Sequence, residues 1–365
     1  MPKQTYKNKL LDARPDRLDL RDREYRPPLK SLPDTWPLKE DYERLFQRYT
    51  ECRMVLDQGK EGACTGFGLA AVINYLLWRD LVKINDEAVT ADVMEEIKVS
   101  STMLYNMARI YDEWEGEDYE GSSCRGAMKG WHRHGVCREK SWPFTPGKES
   151  LPDEKWSSEA IFNPLGAYYR INKDSVVDMQ AAIREVGAIY CSATVHQGWW
   201  LKTTKELSII EQSSKKVGGH AFALVGYNAD GFIVQNSWGT KWGYLGFAVI
   251  RYSDWVENGS DAWVAVRGAE VHRESSPHTY SSNSLQTIGA DHTKVENSAI
   301  GRALKYPYIH DNVKPWSEEK AYQHSLVIGN DGRPKRTIVS QPNPAFRYKS
   351  QRHAGQTAGL HRQGH

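Results

Sequence analysis

From position 68 the chain reads Gly68-Leu69-Ala70-Ala71-Val72-Ile73-Asn74-Tyr75-Leu76-Leu77-Trp78, with no proline and no glycine after the first residue. The run is apolar on nearly every side, and a helix apolar all round is a buried one. The rest of the chain must therefore be wrapped around it. Directly before it stands Val55-Leu56-Asp57-Gln58-Gly59-Lys60-Glu61-Gly62-Ala63-Cys64-Thr65-Gly66-Phe67, which sets Cys64 after a glycine-rich turn, at the N-terminus of that helix. The partial positive charge at a helix N-terminus favours thiolate over thiol. A lone cysteine beside an apolar helix is ordinarily just a small core residue. Three further features point to chemistry instead. Gln58 precedes Cys64 on the turn, and a side-chain amide can donate to an oxyanion. Far downstream, Gly218-Gly219-His220-Ala221-Phe222-Ala223-Leu224-Val225 opens a strand-like run with a histidine. Soon after comes Gln235-Asn236-Ser237-Trp238-Gly239-Thr240-Lys241-Trp242-Gly243, an asparagine followed by aromatics.

These three blocks, in this order, resemble the papain family of cysteine peptidases. The resemblance covers positions 55–268. It implies an α+β, two-lobe fold, with a helical lobe to about residue 160, a β-rich, barrel-like lobe over about 161–269, and an active-site cleft between them. It also implies roles. Cys64 is the nucleophile, His220 its base and acid, Asn236 the residue that orients the imidazole. Gln58 and the Cys64 backbone N–H form the oxyanion hole, and Trp238 shields the His–Asn bond. Ser123-Cys124-Arg125-Gly126-Ala127-Met128 resembles the family's substrate-binding glycine pair, so Gly126, Ala127 and Met128 are expected to line the cleft, with Ala221 opposite. There the backbone would pair with an extended peptide. The partner is then a peptide or protein substrate, and the chemistry needs neither metal nor other cofactor. An amidase or transpeptidase with the same triad, or a non-catalytic binding module, would share the fold. Thr65 and Ala127 stand where the family usually has tryptophan and glycine.

Other assignments compete. His196, near Trp199 and Trp200, lacks the glycine-framed strand context and is read as a decoy. Cys124, His132, His134 and Cys137 could pass for zinc ligands, but without a C-x-x-C knuckle the pattern is weak. A net charge of +2 with 26% charged residues gives no strong field for nucleic acid or a membrane. The five cysteines are too few and too odd for a disulfide framework. The N-terminal residues carry charge and no apolar stretch, so they do not read as a secretory signal. A cytoplasmic, reducing compartment is expected, with export by a dedicated system as the alternative. Nothing in the sequence sets the oligomeric state.

Residues 1–54 read as an N-terminal extension and insertion. Leu18-Asp19-Leu20-Arg21-Asp22 resembles the family's segment near the start of the mature domain, and the stretch before it is too short for the family's helical inhibitory prosegment. Residues 1–54 also include an expected helix at 39–49, with Tyr42, Leu45 and Phe46 on one side. A Ser-capped helix is expected from Ser100 or Ser101, and another at 176–186, stopping at Gly187. Strands are expected at 166–171, 188–195, from His220, from Phe232, from Phe247 and at 262–266, with a hairpin turn at Asp230-Gly231. Residues 270–365 lack an apolar period and read as a polar, basic tail, or as the start of a further module. One expectation for it is that residues 305–315 fold back into the cleft as an inhibitor.

Overall fold

The apolar run is the middle of a 22-residue helix in the computed structural model, which describes residues 5–268 apart from 7–8, 87 and 115–119. Residues 269–365, and with them the tail expectations, lie outside the described residues.

In chain order, two short strands, β1 (Thr5–Tyr6) and β2 (Lys9–Leu10), precede α1 (Lys39–Glu51). The central helix is α2 (Cys64–Asn85), followed by α3 (Ala91–Ile97), α4 (Ser101–Ile110), α5 (Cys124–His134) and α6 (Trp156–Ala160). Then come β3 (Leu165–Arg170), α7 (Val176–Val186), β4 (Ile189–His196), β5 (Ile209–Ile210), β6 (Lys216–Tyr227), β7 (Gly231–Gln235), β8 (Phe247–Arg251), α8 (Tyr252–Asn258) and β9 (Gly259–Arg267). Among the described residues, helices thus fill the first half and strands dominate the second.

The strands from β3 to β9 form one seven-stranded sheet in the order β3-β9-β4-β6-β7-β8-β5. All its pairings are antiparallel except β5 with β8. The β6–β7 turn is closed by the Asn228 side chain, which accepts the backbone N–H groups of Asp230 and Gly231. This is the local bonding that asparagine offers a turn.

Helix α2 packs against β6 on one side and α4 and α5 on the other. Leu69, Ala70, Val72 and Trp78 are wholly buried. An added Cβ on Gly68 would lie 2.9 Å from the backbone of Ala221 and Phe222. Only glycine lets the first turns of α2 lie backbone to backbone on β6, and this contact fixes where Cys64 meets the sheet. Ser100 Oγ caps α4 through the Met103 N–H, and Ser175 Oγ caps α7 through that of Asp178. Gly187 ends α7 at φ 111°, a conformation open to glycine and rarely to other residues.

The first 54 residues are woven into this body where described. Phe46 of α1 stacks on Phe247 of β8 with centroids 4.0 Å apart. Backbone bonds join Trp36 to Tyr227, and Tyr25 and Arg23 to Arg170 at the β3 edge. Among the described residues no helix is long and apolar enough to cross a membrane.

Candidate active site

Cys64 is the first residue of α2, with Ala63 as the N-cap. Its backbone N–H belongs to the opening turn, where no intrahelical acceptor exists. Close behind it on the helix, Gly68 lies against the backbone of Ala221 and Phe222, the residues after His220 on β6. The helix that begins with Cys64 and the strand that carries His220, from opposite halves of the chain, are thus packed on each other.

His220 is held from behind. The Ser237 backbone N–H donates to Asn236 Oδ1 at 2.8 Å, which fixes which end of the amide faces the ring. That oxygen can only accept, so the His220 Nε2 placed 2.8 Å away carries the proton. The other nitrogen, Nδ1, keeps its lone pair and has no hydrogen-bond partner among the described residues. Trp238 leans over the imidazole with centroids 4.8 Å apart, and Trp199 meets it edge-on at 6.0 Å. Trp242 supports this roof from behind, its Nε1 donating to the Trp199 carbonyl at 2.6 Å.

Gln58 is wholly buried. Its Oε1 accepts from Ser237 Oγ at 2.7 Å and its Nε2 donates to the Glu61 carbonyl at 2.9 Å. A side-chain amide nitrogen has two protons, so one remains beyond the Glu61 bond. The Gln58 N–H also donates to the Ser237 carbonyl. Ser237 thus ties the Gln58 turn to the Asn236 turn, a role the sequence reading did not assign, although Asn-Ser-Trp was in view.

The charge state differs from the sequence expectation. Burial pushes the Cys64 thiol up to about 11. Burial likewise pulls His220 down to about 4, against the Asn236 hydrogen bond that raises it. Both residues have no exposed surface. Desolvation outweighs the helix N-terminus, because a fraction of a charge cannot replace lost hydration. In this conformation the pair is thiol and neutral imidazole.

Gly126, Ala127 and Met128 do not form an extended edge. They sit in the first turns of α5, capped by Ser123 Oγ on the Gly126 N–H, and are buried against the helical core. Their backbone groups belong to the helix, so strand addition cannot use them. Just before α5, Ser123 is extended and forms a parallel bridge with Arg14. Ala221 follows His220 on β6, and Trp238 packs on the His220 ring. His196 has both ring nitrogens occupied inside the sheet lobe, Nε2 by Asp254 at 2.8 Å and Nδ1 by the Gly198 N–H. Cys124 and Cys137 are core residues, and all five cysteines are buried free thiols. Among the described residues no three His, Cys, Asp or Glu side chains gather as a metal site.

The family model for papain family cysteine proteases matches residues 47–262. An uncharacterized peptidase C1-like protein of Acanthamoeba polyphaga mimivirus is 25% identical over 225 residues, covering 57% of this chain and 68% of that one. The cathepsin B-like cysteine proteinase 3 of Caenorhabditis elegans is 26% identical over 244 residues, covering 60% of this chain and 62% of that protein. Against the second relative, then, the match spans less than two thirds of its length. Among solved structures, xylellain, a cysteine protease from Xylella fastidiosa, superposes with a TM-score of 0.53 at 24% identity, over 72% of this chain and 96% of that one. That likeness speaks for the two-lobe α+β fold. Since the family model spans more than half of the chain, including Gln58, Cys64, His220 and Asn236, the chain belongs to the papain family of cysteine proteases and is a cysteine peptidase.

Proposed function

We propose that this chain hydrolyses peptide bonds in peptide or protein substrates through Cys64, His220 and Asn236, with Gln58 in the oxyanion hole, and that residues 55–269 are the catalytic unit. His220 Nδ1 takes the thiol proton and Sγ attacks the carbonyl carbon. The S–C bond forms and the carbonyl electron pair moves onto oxygen, where Gln58 Nε2–H and the Cys64 N–H receive it. Collapse breaks the C–N bond, and the imidazolium gives its proton to the leaving amine. Water, deprotonated by His220, then hydrolyses the thioester and restores Cys64. Asn236 holds the ring without adding a negative charge, and Trp238 keeps water from their bond. Ala221 borders the reacting sulfur. No cofactor enters these steps.

The observation that carries this reading is the fixed imidazole, with Nε2–H spent on Asn236 Oδ1 and the Nδ1 lone pair left over. Turnover of a short fluorogenic peptide by the full chain tests it. Cys64→Ala and His220→Ala are each expected to abolish turnover. Asn236→Ala is expected to keep more activity than His220→Ala, because it orients and transfers no proton. Wild-type rates in His220→Ala would refute the assignment. The five buried free thiols support a reducing, cytoplasmic setting. Disulfides in protein taken from cells would contradict that setting.

A further inference from the structure

We propose that His196, with Asp254 behind it, is a positioning residue for the reaction: it caps the turn that sets Trp199 against the edge of the His220 ring. This role deepens the proposed function and rests on His220 being its base. Strand β4 ends at His196, and a single turn of 3₁₀-helix, Gln197–Trp199, follows it. The Gly198 N–H donates to His196 Nδ1 at 3.1 Å, so that nitrogen carries no proton and Nε2 carries the ring's one proton. Nε2 donates it to Asp254 Oδ2 at 2.8 Å, and Asn258 Nδ2 donates to the other carboxylate oxygen at 2.7 Å. His196 and Asp254 have no exposed surface. The carboxylate thus fixes the tautomer that leaves Nδ1 free to accept, as Asn236 does for His220.

The turn depends on that cap. A 3₁₀ turn has poorer hydrogen-bond geometry than an α-helix. This one is closed by the Trp200 N–H on the Gln197 carbonyl at 3.2 Å and tied to the chain by the Gln197 N–H on the Lys215 carbonyl at 3.1 Å. Gly198 is wedged between two neighbours. An added Cβ would stand 1.8 Å from the Glu211 carbonyl oxygen and 3.0 Å from His196 Cε1. The imidazole is therefore one wall of the slot in which the turn sits, as well as its cap.

What the turn carries is the roof of the site. Trp199 is buried, edge-on to His220 at 6.0 Å, 4.9 Å from Phe222 and stacked on Trp242 at 6.1 Å. Trp200, the next residue, meets Trp238 at 5.2 Å, and Trp238 leans over His220. One capped turn thus bears on the imidazole twice, directly through Trp199 and through Trp200 on Trp238. Asn236 holds the ring at Nε2 alone. A shift of the turn therefore frees the ring to swing and opens its Nε2–H bond to water. Both effects fall on proton transfer at Nδ1 and leave substrate binding alone, so the loss belongs in kcat with KM unchanged.

The test compares His196→Asn with His196→Leu in the full chain. The two replacements have nearly the same shape, and both give up the bond to Asp254. Asn can still accept the N–H two residues on, as in an Asx turn, whereas Leu cannot. Two readings are taken: kcat and KM on a short peptide, per folded molecule, and exchange of the His220 Nε2 proton with water, by NMR. His196→Leu is expected to fall about fivefold below His196→Asn in kcat at equal KM, and to exchange that proton about fivefold faster, the worth of one net hydrogen bond. Equal readings in the two variants would overturn the cap and leave the catalytic reading intact; a role confined to stability gives that result, since both variants lose the same Asp254 bond. If the carboxylate left without its histidine keeps either variant from folding, the same pair in an Asp254→Asn background decides. Faster exchange in His196→Leu together with full turnover in His220→Ala would uphold the cap and overturn the catalytic reading.

Discussion

Ser237→Ala isolates the link that aims the Gln58 amide. The lost hydroxyl donates to Gln58 Oε1 at 2.7 Å, and both side chains are buried. Without it the amide oxygen has no donor, and only the bond from Nε2 to the Glu61 carbonyl orients the group. One net hydrogen bond is worth about 1 kcal/mol, so the amide spends roughly a fivefold larger share of its time turned away. Because an oxyanion donor acts in the transition state, the loss should fall on kcat, about fivefold, with KM unchanged. Gln58→Ala removes the donor itself and should cost on the order of a hundredfold to a thousandfold in kcat. Steady-state kinetics of both single variants and the double variant complete a cycle. If Ser237 acts through Gln58, the double variant should be no slower than Gln58→Ala. An undiminished Ser237 effect in the Gln58→Ala background, or a loss confined to KM, would refute this account of the turn.

Two further outcomes follow from buried charge. Arg125 is wholly buried, with Asp22 and Glu113 on its guanidinium, so Arg125→Ala removes the cation they share and leaves Asp22 to Arg170 and Glu113 to Lys129. It should cost about 3–5 kcal/mol and lower Tm by roughly 10 °C in a thermal melt; an unchanged Tm would show that the network carries no stability. For pH, His220 is pulled from 6.5 to about 4 by burial. The folded state then holds a neutral ring that the unfolded chain protonates. Its contribution is present above pH 6.5 and lost as the pH falls toward 4. Asp16 runs the other way, since burial and the facing Asp261 raise its carboxyl well above the usual range. Subtracting His220→Gln from wild type in urea melts should isolate the histidine, with the difference falling by about 2 kcal/mol from pH 7.5 to pH 5. A flat difference would contradict the buried, neutral ring.

The parts legible in the sequence are those that local rules govern. The α2 run announced itself by being apolar on every side. Helix α7 spans the expected 176–186, because Ser175 caps it and Gly187 stops it. The residues now gathered at the site, Gln58, Cys64, His220 and Asn236, were marked by glycine-framed turns and strands. The start of α5 departs from the expectation drawn from Gly126, because Ser123 Oγ caps a helix there. The glycine pressed against the Asp12 backbone is Gly121. The pairing of residues 12–14 with Gly219 and Ser123 was not legible because it runs mainly through the backbone, and backbone bonds leave no pattern of side chains. The neutral state of Cys64 and His220 comes from burial by parts of the chain distant in sequence, so it too lay beyond local reasoning. Short elements such as β5 and α8 carry too few residues for a period.

The most direct test of the central claim is to trap the intermediate. The full chain is mixed with a peptide substrate, quenched in acid during turnover, and digested for mass analysis. The account predicts the acyl part of the substrate on Cys64, present in wild type and absent in His220→Ala. Turnover with no acyl group on Cys64, or with the group on Cys52, Cys124, Cys137 or Cys191, would contradict it.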